Sequence, residues 1–234
     1  MIYKDSRMMD MLVNLSKIDL IDFNLYEPQT IKITGDKITV QELDNLAPRS
    51  YPPCMKNLHS ALIKNSHLKH WGRLQLGLYL KGMGLSVEES TTFWRQKFSK
   101  KTDGDKFEKQ YAYNIRHMYG REGKKNDYRP WNCTKVLASV VPGQGEFHGC
   151  PFKNMDELHL QELVRSYGVD STAEREVMDK HKQKLYQVAC LKLWEAVHPG
   201  AVADNVGNHP NAFVTSSIEY RQNREPKQAN KMQA

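Results

Sequence analysis

From Met55 to Val197 the apolar residues of this chain recur at three- and four-residue steps, and each such run ends at a glycine, a proline or a polar loop. That period is the repeat of a helix with one buried face, so the spacing predicts a mainly helical fold. Met55, Leu58 and Leu62 form one stripe, and Leu74, Leu78 and Leu80 to Met83 form the next, with Gly84 as a stop. Ser86-Val-Glu-Glu89 matches a capping box and should open a helix carrying Phe93, Trp94 and Phe98. Asp105 is placed to cap another, with Phe107, Tyr111, Ile115 and Met118 along it. Two later segments, Asp156–Tyr167 and Thr172–Val197, give Leu158, Leu163, Val164, Leu185, Val188, Leu191 and Trp194 as core positions.

Ahead of these helices, IKITGDKITV alternates Ile31, Ile33 and Ile38, Val40 about Gly35-Asp36, the pattern of a short β-hairpin. Pro48 and Tyr51-Pro52-Pro53 then interrupt regular structure, so a compact region is expected from Cys54. Residues 120–132 and 142–151 are rich in turn formers and each leads into a cysteine. The polar end from Arg221 has the composition of a disordered tail.

The chain carries 34 Lys and Arg against 27 Asp and Glu, a net charge of +7. Residues 54–131 hold sixteen of the cations and only seven of the acids, which concentrates the whole excess there. His67, His70, Trp71, Tyr111, Tyr113, Asn114 and His117 lie among these charges. Cations beside stacking faces and hydrogen-bond donors suit a polyanion such as nucleic acid, although a solvated helix face would read much the same.

The first residues break every apolar run with charge, so neither a signal peptide nor a membrane span is expected. The protein should then be intracellular, which makes a disulfide framework the lesser use of its four cysteines. Their intervals of 79, 17 and 40 residues match no local metal-binding pattern, and buried thiols fit the spacing as well as ligands do. Asp103-Gly-Asp105 lacks a third carboxylate and reads as helix capping rather than a catalytic metal pair. His67 and His70 sit among cations that disfavour a metal there, and His148 would be a substitute ligand in a zinc site. On a regular helix Tyr111 and Tyr113 would point about 200° apart, so both meet one ligand only where the helix is distorted.

Four blocks, YPPCMKNLHSALIKNSHLKHWGRLQLGLYLKGMGLSVEESTTFW, KQYAYNIRHMYGREGKKNDYRPWNC, GQGEFHGCPF and LYQVACLKLWEAVH, in this order, resemble the C-terminal domain of the eukaryotic and archaeal DNA primase large subunit. The likeness runs from about Ser50 to about Phe213. It implies a mainly α iron-sulfur domain over residues 51–215, with a remnant of an N-terminal domain over 1–50 and a tail over 216–234. It also implies a 4Fe-4S cluster held by Cys54, Cys133, Cys150 and Cys190.

The implied partners are template DNA and the 5′-triphosphate end of the RNA primer, met by His67, Lys69, His70, Arg73, Lys81, Tyr111, Tyr113 and Asn114. The resemblance makes the chain a nuclear, non-catalytic accessory of primase, with nucleotidyl transfer left to a separate catalytic small subunit associated with DNA polymerase alpha. Lys69 stands where the family commonly has Arg, and Leu76 where some members have Tyr. The family's long N-terminal half, which docks the catalytic subunit, has at most a fragment here. A zinc-bound nucleic-acid module and a helical enzyme with buried thiols remain the competing readings.

Overall fold

The computed structural model describes residues 38–203 and 206–224. It contains twelve α-helices among those residues and no named strand, only an isolated bridge between Tyr119 and Asp127. The expected hairpin is therefore corrected. Its second arm is the start of helix α1, Val40–Ser50, because Val40, Leu43 and Ala47 bury at helical steps and Thr39 donates its backbone N–H to the Glu42 carboxylate at 2.6 Å. A Thr followed three residues later by Glu is a helix-start signal that outweighs the local alternation. The first arm, Ile31 and Ile33 with Gly35-Asp36, lies outside the described residues.

Helix α1 also moves the compact region upstream of Cys54, since Leu43 and Ala47 belong to the main core. Pro48 is tolerated in its last turn. Next come α2, Pro53–Asn65, α3, His70–Gly82, and α4, Val87–Phe98. Pro53 opens α2 from a position where its missing N–H is not needed. Ser86 and Glu89 form the expected capping box of α4, with Glu89 N–H donating to Ser86 Oγ at 3.2 Å.

The following helix is interrupted. It runs as α5, Gly104–Phe107, a π-helical turn Glu108–Ala112, and α6, Tyr113–Met118. Asp103 rather than Asp105 caps it, accepting from Lys106 N–H at 2.8 Å. Then follow α7, Cys133–Leu137, α8, Pro151–Asn154, and α9, Glu157–Arg165. The expected long helix 172–197 divides into α10, Ser171–Lys182, and α11, Tyr186–Val197, with Lys184 at φ +60° between them. The last described helix is α12, Pro210–Arg224, which continues past the boundary expected at 215.

The apolar faces form a large core beneath α1 to α6 and a smaller one under α8 to α11. In the smaller core the buried positions are Phe152, Leu160, Val164, Val177, Met178, Ala189 and Leu193, and Trp194 is buried beside it with Val206 and Phe213. Leu158, Leu185 and Val188, expected inside, are exposed. The real stripes run through Leu160-Val164 and Ala189-Leu193, one phase away from the longer residues that suggested the other face.

Helix α2 joins the two cores. Its Lys56 is buried, donates to Pro48 O at 3.2 Å and Ser166 O at 2.9 Å, and lies 3.8 Å from the Tyr167 ring centre. Helix α12 returns to the first core, where Asn211 Nδ2 donates to Tyr79 O at 3.0 Å. That approach needs Gly82, because a Cβ there would stand 2.6 Å from Pro130 Cγ and 2.8 Å from Asn211 Nδ2.

Candidate metal centre and nucleic-acid interface

The four cysteines come from four separate helices. Cys54 is the second residue of α2, Cys133 the first of α7, Cys150 caps α8 and Cys190 lies mid-way along α11. All four line one small cavity, whose other walls include Pro52, Val136, Phe152, Tyr186 and Pro210. No acid and no histidine shares that lining. None of the thiols is in a disulfide.

Each thiol is set from its neighbourhood. Gly149, at φ +84°, turns the chain into Cys150, and the Gln75 amide clamps it by accepting from its N–H at 2.7 Å and donating to its carbonyl at 3.3 Å. The Cys133 N–H donates to Asn208 O at 2.9 Å, and the Asn132 side chain caps α7. Cys150 touches both cores, and Cys190 borders the smaller one.

Burial pushes the Cys133 thiol up to about 12 and the Cys150 thiol up to about 11. Cys54 and Cys190 are also raised well above the usual thiol value, by burial and then by the other thiols around the same cavity. At neutral pH such a quartet stays protonated unless a cation supports the thiolates. Among the described residues no group of three or more His, Cys, Asp or Glu side chains is arranged to hold a single metal ion. His148 does not join the thiols; its ring nitrogen Nε2 donates to Val140 O at 2.8 Å.

The residues expected to meet nucleic acid fall into three places. His67, Arg73 and Tyr111 cluster, with Tyr111 Oη 3.3 Å from His67 Nε2 and the Arg73 guanidinium 5.0 Å from the Tyr111 ring centre. Asn114 borders the same small recess as Arg73 and Tyr111. Burial, followed by Arg73 and Lys101, lowers the His67 pKa and keeps its ring neutral. Lys69 and His70 are exposed beside this cluster at the start of α3, where Lys69 Nζ donates to Gln144 O at 2.8 Å.

Lys81 is elsewhere and occupied. It donates to Met118 O at 2.9 Å, Asp127 Oδ1 at 2.5 Å and Tyr128 O at 2.7 Å, which uses its three protons to hold the 119–128 loop. Tyr113 is exposed and stacks on His117 at 6.0 Å, away from Tyr111. The π-turn therefore does not bring the two tyrosines together. Leu76 is fully buried in the main core.

Sequence reasoning missed Gln75 as the clamp on Gly149 and assigned no role to Trp131 or Tyr128. A lone Gln on an apolar helix stripe was the one available signal for the first.

The sequence profile of the C-terminal domain of the eukaryotic and archaeal DNA primase large subunit matches residues 44–214. The chain belongs to that family. It is 42% identical over 220 residues to the DNA primase large subunit of Mus musculus, an alignment that covers 92% of this chain and 42% of the mouse protein. The Saccharomyces cerevisiae DNA primase large subunit is 34% identical over 240 residues, covering 98% and 46%. The Arabidopsis thaliana probable DNA primase large subunit is 41% identical over 189 residues, covering 81% and 41%. The chain thus spans less than half the length of the primase large subunits it matches. The match begins inside α1, in accord with that helix packing into the main core. Among the described residues no helix is long and apolar enough to cross a membrane.

Proposed function

We propose that this chain is the iron-sulfur domain of a primase large subunit, which grips the template–primer junction and the 5′-triphosphate of the RNA primer while a separate subunit performs nucleotidyl transfer. The observation that carries the reading is the meeting of Cys54, Cys133, Cys150 and Cys190 around one space lined by no other metal-binding side chain. The donor set fits the group: a 4Fe-4S cluster takes one external thiolate per iron, and four soft donors around a cavity suit it better than a compact single-ion site. When bound, the cluster would supply the positive charge that stabilises four thiolates and would tie α2, α7, α8 and α11 together.

The chain's own residues do the rest. Arg73 and Asn114 border one recess with Tyr111, whose hydroxyl lies beside His67, and this cluster together with Lys69 and His70 at the first turn of α3 offers charge and hydrogen-bonding groups for phosphate oxygens. Asp103 is committed to capping a helix, which fits an accessory role. A nuclear location beside the catalytic subunit and DNA polymerase alpha follows from the same reading.

Protein purified without oxygen should contain about four irons and four acid-labile sulfides per chain, with broad visible absorption. Stoichiometric zinc in a colourless protein overturns the cluster. Binding should be tighter to a primer–template with a 5′-triphosphate than to one with a 5′-hydroxyl, and equal affinity overturns the primer-end assignment.

A further inference from the structure

Three tryptophans need comparison. Trp94 and Trp194 are each 1% exposed and belong to the cores, whereas Trp71, the second residue of α3, is 37% exposed. It is nonetheless braced. The His70 ring meets it edge-on at 5.1 Å, and Trp131 and His148 lie against it at 6.4 Å each. Lys135 Nζ stands 5.8 Å from the Trp131 ring centre, and Lys69 reaches across to Gln144. The acid on this side, Glu146, accepts from Gly143 N–H at 2.9 Å. The Trp71 ring is thus braced by aromatic neighbours and about a third exposed, with Lys69 and Lys135 nearby.

Its position relative to the phosphate recess is fixed by the helix. At 100° per residue, Arg73 lies about 60° to one side of His70 and Trp71 about 100° to the other. The first turn of α3 therefore presents Arg73, His70 and Trp71 in succession, from the Tyr111 cluster to the Trp131 side. In an antiparallel duplex only the template strand continues past the primer's 5′ end, so a group next to the end-binding recess meets an unpaired template base.

We propose that Trp71 is a stacking shelf for that first unpaired template base, with Lys69 and Lys135 beside its phosphates. The inference rests on the primer-end reading given above. Stacking on an indole tolerates any base, so the shelf would recognise a single-stranded template continuation and not a sequence.

The test compares two primer–templates with the same 5′-triphosphate, one blunt and one with a template 3′ overhang of several nucleotides, by fluorescence anisotropy with the cluster-loaded full chain. Wild-type protein should favour the overhang by roughly tenfold. Trp71→Ala should abolish that preference while leaving blunt-end affinity and the triphosphate preference unchanged, and Trp71→Phe should retain part of it. An abasic site at the first overhanging position should lower wild-type affinity by the same factor, a readout that needs no variant, and should have no effect on Trp71→Ala that still binds the blunt end normally. An overhang preference that survives in Trp71→Ala, or no preference in wild-type protein, overturns the shelf while leaving the primer-end reading intact. Equal wild-type affinity for triphosphate and hydroxyl ends overturns both.

Discussion

Residues 54–131 and 132–224 contain similar amounts of helix but treat charge differently. The first stretch has sixteen Lys and Arg against seven Asp and Glu, and the second has ten against eleven. In the second, Arg165 meets Glu174 and Lys182 meets Glu157 across helices, and Lys192 meets Glu176 on another helix and Glu195 on its own, while Lys135, Lys153, Arg175, Lys180 and Lys184 have no ion pair among the described residues. In the first, Lys81, Arg95, Lys97 and Arg116 meet Asp127, Glu108, Asp44 and Glu122, and Lys64, Lys100, Lys101, Lys106, Lys109, Arg121, Lys124 and Lys125 have no ion pair among the described residues, so the halves differ in net charge and not in how often a cation is paired. Surface pairs contribute little to stability, so the excess is not explained by folding. What separates the two halves is net charge, and the excess in the first suits the polyanionic partner of the proposed reading.

The cysteines draw on both halves, and their loss should have the largest effect. Replacing Cys190 by Ser should remove the iron and the visible absorption and loosen both cores, seen as lost near-ultraviolet dichroism. Intact tertiary structure without iron would separate the two halves more than the proposed reading allows. Next in size, Leu193→Ala should destabilise the chain by about 2–5 kcal/mol in chemical denaturation, because Leu193 is fully buried in the smaller core.

Arg73→Ala should weaken primer–template binding about tenfold and reduce the salt slope by about one, whereas Arg175→Ala in the other half should change neither. Equal losses from the two substitutions would erase the contrast between the regions.

The smallest expected effect is on pH dependence. His198 is buried against Trp194, donates Nδ1–H to Trp194 O at 2.8 Å and accepts from Ser217 Oγ at 2.7 Å, and burial lowers its pKa to about 4. Its ordinary value is about 6.5, so between these limits the unfolded chain binds a proton that the folded chain does not. Stability contributed by the neutral ring is complete above pH 6.5 and falls as pH drops towards 4. Denaturation midpoints of His198→Gln should fall less steeply over that window, with His209, also lowered to about 4, retaining a share of the slope.

Much of the helical architecture was legible in the sequence because periodicity and capping act locally. The Ser86–Glu89 box and the stripe through Phe93, Trp94 and Phe98 needed no tertiary information. The hairpin was not legible correctly, since Ile38 and Val40 fit both periods and only the Thr39–Glu42 contact separates them. In the later helices, Leu158 and Leu185 offered a plausible stripe, but burial follows the neighbour a helix meets, and Leu160 and Ala189 face it. The candidate site divides in the same way. The cysteines' shared cavity depends on contacts across more than a hundred residues, which spacing could not reveal, and Lys81 looked like a free cation until the loop carbonyls around it were placed.

The meeting of Cys54 with Cys190 has a consequence in time as well as space. The two are 136 residues apart, so a ribosome adding about 5–20 residues per second finishes the last thiol on the order of ten seconds after the first. For that interval the basic half exists without its clasp, with three of its prospective ligands emerging as exposed thiols. Metal loading on the proposed reading is thus an event of late biogenesis, and any shortage of iron or excess of oxidant would act on the newborn chain before it could act on the finished domain.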